Sequence, residues 1–178
     1  VDDAGIEIVW KDVTDGNISN PGFDIETDFI TADLATGADN HLGATSWATT
    51  CVSQWGCSAV LPVGTDLKIN NQTVPALNAM GETDGGVLGI SQGWSTESCY
   101  TQTISLAPGT YRLSYAVWNA ANPTASVSNR CGYRISDKST YDNLSQFPTG
   151  SWIKRYMDEF TLEEAADVTF CVGFTAAN

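Results

Sequence analysis

Alternating apolar and polar residues predict a β-strand over residues 110–118, TYRLSYAVW, which follows the turn-forming pair Pro108-Gly109. The residues at every second position are apolar and predict the face that packs in a core: Tyr111, Leu113, Tyr115 and Val117. The residues between them lie on the opposite face, which ends in an indole beside an amide, Trp118 and Asn119. What this second face meets is the main question that the sequence raises about function.

Further β-rich segments follow along the chain: GIEIVW at 5–10, VLGIS at 87–91, CYTQTISL at 99–106, CGYRIS at 131–136, MDEFTL at 157–162 and DVTFCVGF at 167–174. Clusters of Gly, Pro, Asn and Asp separate them and predict turns. The segment LEEAADV at 162–168 is short enough to be a turn between two strands, and residues 31–60 predict long loops. The pattern is typical of an all-β sandwich.

Length and charge restrict the class of protein further. The 178 residues fit one domain, 1–178, and 21 Asp+Glu against 8 Lys+Arg give a formal net charge of -13. Such a chain repels nucleic acid and anionic membranes. No run approaches the ~18 apolar residues of a membrane span, and the N-terminus lacks the features of a signal peptide. We therefore expect a soluble domain, processed or excised, with no nucleic-acid partner and no membrane insertion.

Five cysteines accompany a single histidine, which disfavours the usual Cys/His zinc sites. Cys51 and Cys57 flank the loop CVSQWGC, and a disulfide between them would indicate an oxidising compartment. Alternatively, all five cysteines are small buried residues of a reduced protein. The sequence leaves both interpretations open.

Catalytic chemistry finds little support. Glycoside hydrolysis needs two facing carboxylates. The sequence leaves open whether Glu97 and Asp158 form such a pair. His41 lies in a polar loop and is expected at the surface, while a G-x-S-x-G nucleophile motif is absent. We therefore predict no catalytic residue and no enzymatic activity.

Binding has better support, because the chain contains six Trp and six Tyr. An indole offers a flat apolar plate for the C–H face of a sugar, and nearby amides and guanidinium groups bond its hydroxyls. The predicted carbohydrate-binding residues are Trp118, Arg112, Asn119, Trp94, Trp55, Arg134 and Trp152. Trp10 and Trp47 are expected in the core or at a sheet edge. Alternatively, a loop from residues 31–80 covers Trp118, and the arginines pair with surface carboxylates.

Several segments in order carry a family resemblance: NPGF at 20–23, VLGISQGW at 87–94, YTQTISLAPGTYRLSYAVWNA at 100–120, GYRIS at 132–136 and DVTFCVGFTAAN at 167–178. This order, covering Asn17 to Asn178, resembles the galactose-binding-like jelly-roll modules of bacterial secreted polysaccharide-degrading enzymes and surface proteins. The resemblance implies a jelly roll of two antiparallel sheets, with a concave groove on the outer face of one sheet. Such modules generally continue past TAAN into another strand. The chain is therefore expected to lack that last strand or to replace it with GIEIVW.

The resemblance also implies a structural Ca²⁺ held by acidic residues near the N-terminus and in the last strands. Calcium takes six to eight oxygen ligands, and the positions that the resemblance suggests are Glu7, Asp24, Glu26 and Asp158. A solvated acidic surface is the alternative for the same residues.

These observations predict a secreted or cell-surface, non-catalytic carbohydrate-binding module. It would hold a tethered catalytic domain or a cell surface close to a polysaccharide, raising the local concentration of the attached partner. Two alternatives remain: a structural or adhesive module of a multidomain surface protein without a sugar ligand, and a small jelly-roll glycoside hydrolase. An open aromatic groove favours the first function, a covered face the second, and a facing carboxylate pair the third.

Overall fold

A computed structural model describes residues 10–37, 39–50, 56–91, 100–120 and 130–174 of the chain. The strands in these ranges are β1 Ala48–Thr49, β2 Cys57–Pro62, β3 Lys68–Ile69, β4 Gln72–Thr73, β5 Gly86–Ser91, β6 Tyr100–Leu106, β7 Gly109–Tyr111, β8 Ser114–Trp118, β9 Arg130–Ile135, β10 Lys138–Asn143, β11 Trp152–Tyr156, β12 Phe160–Leu162 and β13 Ala166–Phe174. Two 3₁₀ turns, Glu26–Asp28 and Leu144–Gln146, lie between strands. None of the described segments is a helix long and apolar enough to cross a membrane.

Antiparallel pairing organises these strands, and the described residues contain no α-helix. One sheet has five strands in the order β1-β6-β13-β9-β10. Four two-stranded ribbons accompany it: β8–β11, β7–β12, β2–β5 and β3–β4. The all-β class predicted from the sequence is confirmed, while the described strands form one larger sheet and several ribbons rather than two full sheets.

The main core lies between the five-stranded sheet and the segment that carries β7 and β8. Tyr133, Val168 and Phe170 on the sheet are buried in one cluster, and Tyr111 and Tyr115 pack against it. Each large apolar side chain removed from water in this way contributes about 1.5–3 kcal/mol before entropy costs. Three of the four residues predicted to face inward, Tyr111, Leu113 and Tyr115, therefore pack against the core.

The predicted strand 110–118 is divided in two. Tyr111 at the end of β7 pairs with Phe160 of β12, whereas Trp118 of β8 pairs with Trp152 of β11. Arg112 and Leu113 lie between the two strands and belong to neither. The backbone N–H of Met157 donates to the carbonyl of Leu113 at 2.9 Å and keeps the two chain segments together across the break. The alternation of inward and outward positions continues through the interruption.

The prediction of long loops over residues 31–60 holds for the described residues up to 47, but it is wrong at β1 and at residues 57–60, where β2 begins. Five consecutive residues of β2 are buried, from Cys57 to Leu61. Leu61 packs in a cluster with Ile69, while Val60 packs in another cluster with Tyr100. A strand that is buried on both faces has no polar alternation, so the period that marks half-buried strands is missing here.

Three cysteines of the described residues, Cys57, Cys131 and Cys171, are buried, and Cys57 and Cys131 are free thiols. The Cys57 thiol donates to the carbonyl of Leu34 at an Sγ–O distance of 3.9 Å. Cys51, the partner suggested for Cys57, lies outside the described residues. The structure thus gives Cys57 a buried thiol in place of the suggested disulfide.

Candidate functional site

The β8–β11 ribbon has one face toward the core and one face away from it. Three cross-strand pairs lie on the outer face: Trp118 with Trp152, Ala116 with Lys154, and Ser114 with Tyr156. Tyr115 lies on the inner face and packs against the main core. We call the outer surface formed by Trp118, Trp152, Lys154 and Tyr156, together with the adjacent Arg112 and Trp10, the ribbon face. It contains four aromatic rings and two cations.

Trp118 and Trp152 form one end of the ribbon face. Their ring centroids lie 5.9 Å apart and their planes are inclined by 60°. The Trp152 indole Nε1–H donates to the carbonyl of Leu77 at 2.8 Å, so a segment from the region before β5 reaches this end. Both indoles are half-buried. The predicted covering loop thus contacts Trp152, and both indoles keep part of their surface exposed.

The other end of the ribbon face is more exposed. Tyr156 is 44 % exposed and Trp10 is 37 % exposed. The guanidinium carbon of Arg112 lies 4.5 Å from the centroid of the Trp10 ring and 4.7 Å from that of Tyr156. The Lys154 ammonium lies 5.4 Å from the centroid of Tyr156. These cation–π contacts hold both cations beside the rings.

Ion pairing distinguishes these cations from the neighbouring Arg155. Arg155 lies on the inner side of the ribbon and forms, with Asp142, the single ion pair within 4.0 Å among the described residues. Asp12 lies near Lys154, and its pKa is lowered chiefly because the Thr14 backbone N–H donates to it, with a smaller contribution from the Lys154 charge. Within the part of the chain that the structure describes, Arg112 and Lys154 therefore have no direct carboxylate partner.

Asn119, a predicted sugar-binding residue, uses its amide within the chain. Its Nδ2 donates to the carbonyls of Leu144 at 2.9 Å and Phe147 at 2.8 Å. Its backbone carbonyl accepts a hydrogen bond from the Gly150 N–H at 2.9 Å. Asn119 thus anchors the 144–150 segment beside the ribbon face.

The remaining predicted sugar-binding residues are not brought together. Arg134 is exposed on the five-stranded sheet, where it pairs with Thr169 of β13, so it belongs to a different surface from Trp118. Trp55 and Trp94 lie outside the described residues. Trp152 is the predicted residue that the structure places directly against Trp118.

The suggested calcium ligands are dispersed where the structure describes them. Asp24 and Glu26 are exposed near the first 3₁₀ turn, and Asp158 is exposed between β11 and β12. Glu7 lies outside the described residues. Across the described ranges, no three His, Cys, Asp or Glu side chains lie close enough to hold a metal ion.

The side chains considered for catalysis are Glu97, Asp158 and His41. Glu97, the suggested partner of Asp158, lies outside the described residues. His41 is half-buried rather than at the surface, and its Nδ1 lies 2.9 Å from Ser58 Oγ. Ser58 is 0 % exposed, and its Oγ is also 2.9 Å from the Tyr100 hydroxyl. A nucleophile must reach its substrate, so this buried polar cluster is assigned to the core.

Lys154, Tyr156 and Trp10 were not predicted as site residues. The signal for Lys154 and Tyr156 was the alternation in WIKRY at 152–156, which places Trp152, Lys154 and Tyr156 on one face of a strand. Trp10, expected in the core or at a sheet edge, is exposed against Arg112. Its position depends on a contact with a residue about a hundred positions away, which local patterns do not encode.

In comparisons with protein-family models, with curated proteins and with solved structures, nothing matches this chain. The resemblance to galactose-binding-like modules therefore rests on the sequence segments alone. The function of the chain has to be inferred from the chemistry of the ribbon face.

Proposed function

We propose that this chain is a non-catalytic polysaccharide-binding domain whose binding surface is the ribbon face. The observation that carries the proposal is the alignment of Trp118, Trp152 and Tyr156 on one face of a single ribbon, with Lys154 among them. Trp152 and Tyr156 are four residues apart on one strand, which corresponds to roughly 13 Å. A row of rings over this length fits an extended sugar chain better than a single small molecule.

The physical basis is stacking combined with polar contacts. Aromatic rings present apolar faces to the C–H groups of sugars, while the Arg112 guanidinium and the Lys154 ammonium supply hydrogen-bond donors for their hydroxyls. Because Arg112 lies against two rings, little side-chain freedom remains to be lost on binding. The exposed end around Tyr156 is the centre of the proposed surface, and the half-buried tryptophan pair extends it.

The wider proposals follow from the sequence resemblance. The five-stranded sheet and the ribbons would be the two layers of a jelly-roll sandwich. The domain would act outside the cell, holding an attached enzyme or surface on a polysaccharide by raising its effective concentration. A structural Ca²⁺ would require ligands beyond the dispersed Asp24, Glu26 and Asp158.

Affinity electrophoresis of the whole chain through gels containing soluble xylan, mannan, β-glucan or pectin tests the proposal. Wild-type protein is compared with Tyr156→Ala and with Tyr141→Ala. Tyr141 is a matched control because it is 40 % exposed, close to the 44 % of Tyr156, and lies on β10 away from the ribbon face. Urea unfolding of each variant checks that the fold is retained.

We expect at least one glycan to retard the wild type and Tyr141→Ala, and to retard Tyr156→Ala much less. Trp118→Ala and Trp152→Ala should reduce retardation by the same glycan. Equal retardation of the Tyr156 and Tyr141 variants would mean that the binding site lies outside the ribbon face. No retardation by any glycan would reject the sugar-binding function.

A structural module without a sugar ligand is the second candidate. The hydrogen bond from Trp152 to the Leu77 carbonyl favours it, because this contact gives the tryptophan pair a role in holding the chain together. On this hypothesis no glycan retards the protein. Trp152→Phe, which removes the indole N–H, would then lower the free energy of unfolding without any change in binding.

A further inference from the structure

The two cations of the ribbon face have no ion-pair partner in the described part of the chain. Acidic residues outnumber basic ones by 21 to 8, yet among the described residues Arg155 with Asp142 is the one ion pair within 4.0 Å. Arg112 and Lys154 lie instead against aromatic rings, and neither is within 4.0 Å of a carboxylate oxygen in the part of the chain described. Within the described part of the chain, their hydrogen-bond donors therefore have no carboxylate partner.

Arg112 and Lys154 both lie beside the ring of Tyr156. The Arg112 guanidinium carbon lies 4.7 Å and the Lys154 ammonium 5.4 Å from the centroid of the same ring. Any sugar that stacks on Tyr156 therefore meets a cationic group from each of two neighbouring side chains. A guanidinium matches the two oxygens of a carboxylate with parallel hydrogen bonds, and the ammonium adds a second point charge.

The net charge of -13 opposes the binding of an anionic ligand at the ribbon face less strongly than a charge of this magnitude suggests. At about 0.1 M salt, exposed charges more than roughly 10 Å apart are largely screened. Carboxylates beyond that distance therefore oppose the binding of an anionic ligand next to these cations only weakly. Among the described residues, Asp12, which accepts a hydrogen bond from the Thr14 N–H, is an acidic group near Lys154.

We propose that the ribbon face selects polysaccharides that carry carboxylates, that is, chains containing uronic acid, with Arg112 and Lys154 binding the carboxylate of the sugar that stacks on Tyr156. This inference rests on the proposed polysaccharide-binding function. It assigns the charge of the ligand, which the aromatic rings alone do not determine.

Affinity electrophoresis with matched polymers separates the two proposals. Polygalacturonate is compared with highly methyl-esterified pectin, which keeps the sugar chain and neutralises most carboxylates. Dextran sulfate, compared with dextran, reports binding to sulfate instead of carboxylate. The double variant Arg112→Gln/Lys154→Gln is compared with Arg134→Gln/Lys138→Gln, which makes the same charge change at exposed positions of the five-stranded sheet.

We expect polygalacturonate to bind more tightly than the esterified polymer, with an affinity that falls as NaCl is raised. The Arg112/Lys154 variant should lose roughly tenfold or more of this affinity, whereas the Arg134/Lys138 variant keeps it. Equal binding of both pectins, sensitive to Tyr156→Ala but not to the charge variants, would overturn this inference and leave the proposed function intact. Equal binding of dextran sulfate would overturn the carboxylate assignment. No binding to polygalacturonate would overturn this inference, and no binding to these polymers or to xylan, mannan and β-glucan would overturn both proposals.

Discussion

Tyr115 of β8 donates its phenol hydrogen to the Asp142 carboxylate of β10 at 2.8 Å, joining the β8–β11 ribbon to the edge of the five-stranded sheet. Arg155 of β11 reaches the same carboxylate, with Nε at 2.8 Å and Nη2 at 3.3 Å. One acidic side chain thus accepts hydrogen bonds from both strands of the ribbon. Because these contacts lie on the inner side, they fix the orientation in which the ribbon face is presented.

Replacing the shared acceptor tests the importance of this connection. Asp142→Ala leaves the half-buried Tyr115 hydroxyl and the Arg155 guanidinium without their partner. We expect the free energy of unfolding to fall by about 1–2 kcal/mol, less than for a fully buried ion pair because the Arg155 side chain is 37 % exposed. Urea denaturation followed by tryptophan fluorescence measures the loss.

Glu163→Ala is the control for this substitution, since Glu163 is exposed in the turn before β13. It should change the free energy of unfolding by no more than about 0.5 kcal/mol. Equal effects of the two substitutions would mean that the Asp142 contacts contribute nothing measurable to stability.

Strands were predicted where apolar residues alternate along part of the segment. In β6, β8 and β13 these residues include Ile104 and Leu106, Tyr115, and Val168 and Phe170, which meet the main core. β10, KSTYDN, was not predicted, since most of it is exposed at a sheet edge and its residues need no apolar period. Its strand structure depends on hydrogen bonds to β9, which a local pattern cannot reveal.

The candidate site, too, could be predicted from the sequence only in part. The outward direction of Trp118 could be predicted, because a strand with period 2 that buries Tyr115 must expose its neighbours. The residue that lies opposite Trp118 could not be predicted, because the register of the two strands determines it. This register places Trp152 opposite Trp118 and Tyr156 near Arg112. The more exposed part of the aromatic surface therefore lies at Tyr156 and not at Trp118.

Asn119→Ala should loosen the 144–150 segment. The substitution removes two donated hydrogen bonds, to the carbonyls of Leu144 and Phe147, and should lower the free energy of unfolding by about 1–2 kcal/mol. Gln146→Ala changes an exposed side chain of the same segment and serves as the control. Limited proteolysis should cut the Asn119 variant faster than the control; identical digestion rates would contradict an anchoring role.

Gly86→Ala tests the close packing around the start of β5. A Cβ at this position would clash with the backbone carbonyl of Phe23 and lie 2.7 Å from the Phe29 ring. Overpacking against backbone should lower the free energy of unfolding by about 1–3 kcal/mol. Gly43→Ala, where nothing lies within 4 Å of the added carbon, should have little effect. A thermal melt of both variants measures the difference, and matching transition temperatures would count against tight packing here.

Alkaline pH should destabilise the fold through groups that are protonated when buried. Burial raises the pKa of the Cys57 thiol from 9.0 to about 11, and it also raises the pKa values of the Cys131 thiol and the Tyr115 phenol. From about pH 9 the unfolded chain releases the Cys57 proton, while the folded chain keeps it until about pH 11. The unfolded state then binds fewer protons, so the free energy of unfolding falls as the pH rises.

The Cys57 contribution is complete below pH 9.0 and is lost as the pH rises toward about 11. Between pH 8.5 and 10.5 this thiol alone should lower the free energy of unfolding by about 2 kcal/mol. Urea denaturation in the presence of a phosphine reductant, repeated at several pH values, gives the slope. Cys57→Ala removes the titrating group and should flatten the slope over this range, whatever its effect on stability at neutral pH. An unchanged slope in that variant would show that Cys57 titrates alike in the folded and unfolded chains.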